Sequence, residues 1–112
     1  MVQYPARLDS TFAALADATR RRVLERLGRG DASISDLAGA FDMTLTGMKK
    51  HVQVLEDAGL VTTKKIGRVR HCRLGPRSLE EETAWIARYR AMLEARYDHL
   101  EKLPERTQGE RS

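Results

Sequence analysis

Seven cationic side chains lie between Thr44 and Leu74: Lys49, Lys50, Lys64, Lys65, Arg68, Arg70 and Arg73, against only Glu56 and Asp57. The 112-residue chain holds 20 Lys and Arg and 16 Asp and Glu, so this window carries all of the formal net charge of +4 and the rest is close to neutral. Ammonium and guanidinium groups gathered this way bind anions, and arginine meets phosphate oxygens with paired donors. Thr44, Thr46 and Gln53 stand among them with hydroxyl and amide groups that both donate and accept. The chemistry on offer is recognition of a polyanion rather than bond making. No nucleophile–base pair, phosphate loop or clustered carboxylate site can be assembled from the sequence, which argues against an enzyme.

These side chains need elements to aim them. Thr44 is the expected N-cap of a helix whose inward face is Met48, Val52 and Leu55, at i, i+4 and i+7, and which Gly59 closes. Thr46, Lys49, Lys50 and Gln53 then fall on the opposite face. A shorter helix precedes it across the three-residue turn Asp42-Met43-Thr44, with Ser35 as expected N-cap and Leu37, Ala38 and Phe41 buried. A hairpin follows. Gly67-Arg68 suits a two-residue type II′ turn, pairing Ile66 with Val69, Lys65 with Arg70, Lys64 with His71, Thr63 with Cys72 and Val61 with Leu74. One face of that hairpin carries Val61, Thr63, Cys72 and Leu74, and the same side carries Lys65 and Arg70 at a tip that overhangs the core. The short Ala32-Ser33-Ile34 segment can add an edge strand.

Polar residues on an outer helix face are ordinarily only solvated. Here the order short helix, tight turn, second helix and cationic hairpin favours a different reading, a nucleic-acid-binding module. A helix fits the major groove of DNA, where Lys reaches guanine acceptors and Gln pairs with adenine. Thr44 and Thr46, at the positive end of the helix, can instead hold a phosphate.

The flanking segments read as helices. Leu8, Phe12, Leu15 and Ala16 form one face of a first helix. Asp17 caps a second, Ala18-Thr-Arg-Arg-Arg-Val-Leu-Glu-Arg-Leu27, that buries Val23, Leu24 and Leu27 and ends at Gly28 and Gly30. Arg20, Arg21 and Arg22 suit either intramolecular salt bridges or phosphates, and the sequence does not separate the two. After Gly75-Pro76, the capping box Ser78-Leu79-Glu80-Glu81 opens a long last helix. Along it Leu79, Ile86, Leu93 and Leu100 recur every seven residues, flanked by Trp85, Tyr89, Met92, Tyr97 and Leu103. A helix of about 25 residues is roughly 37 Å long, more than so small a core can cover. The surplus apolar face calls for the same helix of a second copy, so a homodimer is expected, with Leu79, Ile86, Tyr89, Leu93 and Leu100 in the interface.

Length allows one domain, taken as residues 1–103, with a tail at 104–112 too polar to fold. A lone cysteine excludes an internal disulfide and fits a reducing compartment. No apolar run approaches the roughly 20 residues needed to span a bilayer. The first residues lack the apolar centre of a signal peptide, so a cytoplasmic protein is expected.

The segments Asp17-Ala-Thr-Arg-Arg-Arg-Val-Leu-Glu-Arg-Leu27 and Ser33 to Leu74, above all His51-Val-Gln-Val-Leu-Glu-Asp-Ala-Gly-Leu-Val61 and the Gly67-Arg68 turn, resemble the ArsR/SmtB family of bacterial winged helix-turn-helix repressors. The resemblance runs from about Phe12 to Lys102. It implies a mainly α fold with a small β-hairpin wing and a long C-terminal dimerisation helix. It further implies a dimer held by the first and last helices, Phe12 included, that binds a pseudo-palindromic operator. Thr46, Lys49, Lys50 and Gln53 would then face bases, with Arg68 and Arg70 on the wing.

Metal-sensing members of the family often carry Cys-x-Cys-Asp-Leu at the third helix, where this chain has Ser33-Ile34-Ser35-Asp36-Leu37. Serine hydroxyls are poor ligands for soft or borderline ions. Asp98-His99 is a fragment of a second metal pattern, but Lys102 stands where its acidic member belongs. No metal and no cofactor are therefore expected. An unknown small-molecule effector stays open, as does a thiol sensor at Cys72, which the hairpin register places on the buried face as a small hydrophobe. His51 reads as a packing or phosphate-contacting residue, and His71 as a solvated or DNA-proximal one. The competitor from another class is a protein-interaction module that has lost DNA binding, against which the intact basic wing argues.

Overall fold

The computed structural model describes residues 4–101, so the 104–112 tail and Leu103 lie outside the described residues. The chain divides into two compact units, one up to Ser78 and one from Leu79 onward. In the first, helices α1 (Tyr4–Leu15), α2 (Ala18–Leu27), α3 (Ile34–Ala40) and α4 (Leu45–Asp57) pack with strands β1 (Ala32–Ser33), β2 (Val61–Ile66) and β3 (Val69–Leu74). The second is the helix α5 (Glu80–Glu101).

Two of the helix starts follow the expected chemistry. The Asp17 carboxylate accepts from the Arg20 N–H at 3.0 Å at the head of α2. That bond holds the Asp17 carboxyl below its ordinary range, against a smaller opposing effect of burial and with help from the Arg20 and His51 charges. The Thr44 hydroxyl accepts from the Gly47 N–H at 3.0 Å at the head of α4. The cap of α3, however, is Ser33 rather than Ser35: its hydroxyl accepts from the Asp36 N–H at 3.0 Å. The earlier start lets Ile34 join Leu37 and Ala38 in the core and leaves Phe41 half-buried at the helix end. Ser33 thus serves both the short strand and the cap.

α4 ends in a Schellman motif. The Leu60 N–H donates to the Leu55 carbonyl and the Gly59 N–H to the Glu56 carbonyl, both at 2.9 Å. Gly59 has φ +79, and a Cβ there would sit 2.8 Å from Arg77 Cδ, so both backbone and space require glycine. The turn aims the chain directly into β2.

The sheet order is β1-β3-β2, antiparallel throughout, with Ala32 opposite Cys72 and Ser33 opposite His71. The hairpin has the expected register at all six pairs, from Val61–Leu74 to Ile66–Val69. Gly67 has φ +65, and the only non-glycine residues with positive φ among those described are Asp42 and Leu79, the sign pattern of a type II′ turn. Val61 and Cys72 are buried as expected, but Leu74 is 45% exposed. It pairs with the first strand residue, at the rim where the sheet leaves the core.

Ile34, Ala38, Leu60 and Cys72 share the core with Ala14, Val23, Leu27, Leu37, Met48, Val52, Leu55 and Val61, while Leu24 is only half-buried. From residue 7 to the end of α1 the fully buried residues are Thr11 and Ala14, while Leu8, Phe12 and Leu15 are half-buried; Ala16, just after it, is exposed. A threonine can replace an apolar residue there because its hydroxyl accepts from Arg77 Nη1 at 2.8 Å. The same Arg77 nitrogen donates to the Ala58 carbonyl at 2.8 Å, tying α1 to the end of α4.

α5 starts at Glu80, with Leu79 in the left-handed region at φ +59. Ser78 therefore stands one residue too far upstream for the expected capping box. Glu80, Glu81 and Glu82 occupy the first turn, where the helix dipole favours them. Its 22 residues span about 33 Å. Ile86, Tyr89, Met92 and Tyr97 are exposed, Met92 to 63%. Leu79 and Leu93 are half-buried, while Leu100 is exposed. Trp85 and Tyr89 stack with ring centroids 5.7 Å apart and planes within 6°.

Candidate nucleic-acid interface

α4 and the hairpin enclose a cleft of about 490 Å³. Lys49 and Gln53 line it from α4, and Lys65, Arg68 and Arg70 from the wing, so five of the eight expected DNA-binding residues meet around one space. Thr44, Thr46 and Lys50 are exposed elsewhere on α4. Lys49 and Lys50 follow Met48, whose burial fixes the rotation of the helix and turns them outward.

Several of these groups already have partners. Thr44 accepts the Gly47 N–H, yet its O–H can still donate. Gln53 donates to Asp57 Oδ1 at 2.8 Å, so reading a base requires breaking an exposed i, i+4 contact. Arg70 donates to Thr63 Oγ1 at 2.8 Å, and that hydroxyl donates to Glu56 Oε2 at 3.0 Å. Arg73 pairs with Asp31 at 3.2 Å, which removes one of the seven window cations from contention. Among the described residues Lys49, Lys50, Lys64, Lys65 and Arg68 make no hydrogen bond or ion pair.

The second arginine cluster behaves differently. Arg20 donates to the Ala14 carbonyl at 2.9 Å and the Ala13 carbonyl at 3.1 Å, and its Nη1 lies 3.3 Å from His51 Nδ1. Arg21 donates to the Leu15 carbonyl at 2.7 Å, and the Arg22 guanidinium sits 4.9 Å from the centre of the Phe41 ring. Arg20 and Arg21 thereby bond carbonyls in the last turn of α1, of which Ala13 also accepts the Ala16 N–H at 3.2 Å. Arg20–Arg22 are thus engaged within the chain, but through carbonyls, His51 and the Phe41 ring rather than through the salt bridges expected. His51 is a partner of Arg20 on the half-buried side of α4.

Cys72 is 1% exposed, and burial, followed by the nearby Glu56 charge, pushes its thiol up to about 11 against an opposing pull from Arg70. At neutral pH it is a protonated, inert thiol. Among the described residues no three His, Cys, Asp or Glu side chains converge as metal ligands, and the Ser33 hydroxyl is engaged as the α3 cap.

Sequence reasoning missed Leu45, Glu56 and Thr63 as members of this region. Leu45 opens α4 45% exposed and lines the cleft, where an apolar group can meet a thymine methyl. Glu56 and Thr63 are seven residues apart across the Gly59 turn, a signal that the predicted helix end and hairpin start together contained.

Residues 15–64 match the model of a helix-turn-helix domain family. A crystal structure of an ArsR family transcriptional regulator is 47% identical, covers 84% of this chain and 97% of its own, and superposes with a TM-score of 0.74. The chain belongs to the ArsR/SmtB family. It is a DNA-binding transcriptional regulator with the winged helix-turn-helix fold. Two further ArsR/SmtB likenesses are informative. One is the homodimeric winged helix-turn-helix DNA-binding domain from Mycobacterium bovis, 25% identical over 86% of this chain and 83% of that one, with a TM-score of 0.58. The other is the arsenical resistance operon repressor of Escherichia coli, 32% identical over 78 residues, 69% of this chain and 63% of that protein. No helix among the described residues of this family member is long and apolar enough to cross a membrane.

Proposed function

We propose that this regulator is a dimeric, cytoplasmic repressor that reads a pseudo-palindromic operator, and that it is not an enzyme. Residues 1–103 act together as the DNA-binding and dimerising domain. α4 enters the major groove, where Lys49, Lys50 and Gln53 contact base edges and Thr44 and Thr46 hold a phosphate at the positive helix end. The wing meets phosphates through Lys65, Arg68 and Arg70. The observation that carries this reading is the contrast in commitment: Lys49, Lys65 and Arg68 line one cleft and hold no protein partner among the described residues. A cation kept clear of its own protein is available to a phosphate.

The apolar face of α5, with exposed Ile86 and Tyr89 and half-buried Leu93, packs against a second copy, and so does Phe12 of α1. Two copies present two recognition helices, so half-sites fall about one helical turn, ~10 bp, apart or a multiple of it. Repression follows from occupancy of the operator, as the name of the Escherichia coli relative suggests for that protein. Selection of bound sites from random duplex DNA tests the proposal. Enriched inverted repeats are the expected result, and no enrichment over the input pool would contradict it.

A further inference from the structure

Glu56 stands out in the cleft because it is the one acidic side chain in a lining whose other charged members are Lys49, Lys65, Arg68 and Arg70. A carboxylate in an anion-binding cleft repels the ligand, so electrostatics alone makes Glu56 a handicap. Its hydrogen bonds suggest another role. Thr63 donates to Glu56 Oε2 at 3.0 Å and accepts from Arg70 Nη1 at 2.8 Å. A hydroxyl has one proton, so its donation to Glu56 leaves the oxygen lone pairs for Arg70 and orders the chain Arg70 to Thr63 to Glu56. Glu56 belongs to α4, while Thr63 and Arg70 belong to neighbouring strands of the wing. Glu56 and Thr63 are both half-buried and Arg70 is exposed. The chain therefore spans the joint between the recognition helix and the wing, with its inner end shielded from water and its cation at the surface.

We infer that Glu56 is a positioning residue for DNA binding: through Thr63 it sets the wing against α4 and holds the Arg70 guanidinium oriented at the cleft wall. The inference rests on the proposed reading that Arg70 meets DNA. Orientation in advance removes the side-chain entropy that a free arginine loses on binding a phosphate. Removing Glu56 raises the net charge by one, so simple electrostatics predicts tighter DNA binding, whereas loss of a positioning residue predicts weaker binding. The two effects have opposite signs.

The test is fluorescence anisotropy of the full chain on a duplex recovered by selection, at one fixed salt concentration. Glu56→Ala and Thr63→Val should each weaken binding roughly three- to tenfold, the worth of one hydrogen bond. Glu56→Gln and Thr63→Ser keep the acceptor and the hydroxyl, and should bind as the native protein does or tighter. Thr63→Val should add nothing in an Arg70→Ala background, because the chain then has no cation to hold. Amide exchange of the free protein supplies a reading independent of DNA. Exchange in the wing should quicken in Glu56→Ala and Thr63→Val but not in Glu56→Gln. If Arg70→Ala weakens binding while Glu56→Ala and Thr63→Val bind natively or tighter, the positioning role is wrong and the DNA reading stands. An Arg70→Ala protein that binds natively overturns both.

Discussion

The chain carries two arginine- and lysine-rich clusters, on α2 and on α4 with the wing, and they use their charge in opposite ways. Arg20 and Arg21 of α2 donate to carbonyls at the end of α1, Arg22 covers the Phe41 ring, and Arg26 donates to the Gly30 carbonyl at 2.9 Å. Lys49, Lys50, Lys65 and Arg68 make no such bonds among the described residues. The first cluster holds helices together, and these four cations of the second stay uncommitted among the described residues. Local density of positive charge does not distinguish them. What distinguishes them is whether carbonyls or rings lie within reach, and that depends on the packing of α1 against α2.

Substitutions can break this contrast, beginning with the largest effect. Changing Lys49, Lys50, Lys65 and Arg68 together to Ala should abolish measurable duplex binding at physiological salt. Each phosphate no longer neutralised removes ~0.9 from the slope of log K against log salt. The melting temperature should change little, since exposed residues without partners contribute little to folding. Native-like affinity in a filter-binding titration would show that the uncommitted cations are not the DNA-binding surface.

Leu93→Glu comes next and separates the strength of each subunit's grip from the number of subunits. A carboxylate facing its symmetry mate should cost several kcal/mol of dimer stability. Sedimentation should then show monomers with operator affinity greatly reduced. A dimer of native strength would place the interface away from α5.

Arg20→Ala sharpens the other side of the comparison. It exposes two α1 carbonyls and removes a neighbour of His51, so unfolding in urea should show a loss of about 1–3 kcal/mol. Its salt slope on DNA, measured where the protein is folded, should match the native one.

Cys72 reports on the burial of the wing's root, with a smaller effect. Its thiol is raised in the fold to about 11 from an ordinary 9.0. A folded value above the unfolded one means that the protonated thiol favours the fold fully below pH 9. This contribution is lost as pH rises towards 11. Cys72→Ala should therefore show a shallower fall in stability across pH 9–11, and native Cys72 should resist thiol reagents at pH 7.5. Rapid labelling of the folded protein would contradict the burial. Smallest of all, zinc, nickel or arsenite should leave DNA affinity unchanged. A stoichiometric ion that releases DNA would reveal a ligand set beyond the residues described.

Periodicity and cap chemistry made much of the fold legible. Met48, Val52 and Leu55 fixed the rotation of α4, and Gly67 fixed the hairpin register at every pair. Errors arose where two residues of one type competed or where a distant partner changed the outcome. Ser33 and Ser35 are equally good caps in isolation, and only the burial of Ile34 selects Ser33. Thr11 is polar and so was invisible as a core residue until Arg77, 66 positions away, supplied its hydrogen bond. Glu56 entered the sequence reading only as a charge to be counted, because Thr63 and Arg70 reach it only once the Gly59 turn has folded the wing back. The residues proposed to face DNA could be named from pattern alone, but their prior engagements, Gln53 with Asp57 and Arg70 with Thr63, could not.

A paired salt titration of Arg68→Ala and Arg22→Ala on one selected duplex tests the central claim most directly. Both variants remove one arginine and the same formal charge, one from the tip of the wing and one from above Phe41. Arg68→Ala should lower affinity and flatten the slope of log K by ~0.9 for each phosphate that its guanidinium neutralises. Arg22→Ala should keep the native slope. Equal flattening by both would show that net charge rather than uncommitted charge governs binding, and flattening by Arg22→Ala alone would place the phosphate contact at the committed cluster instead.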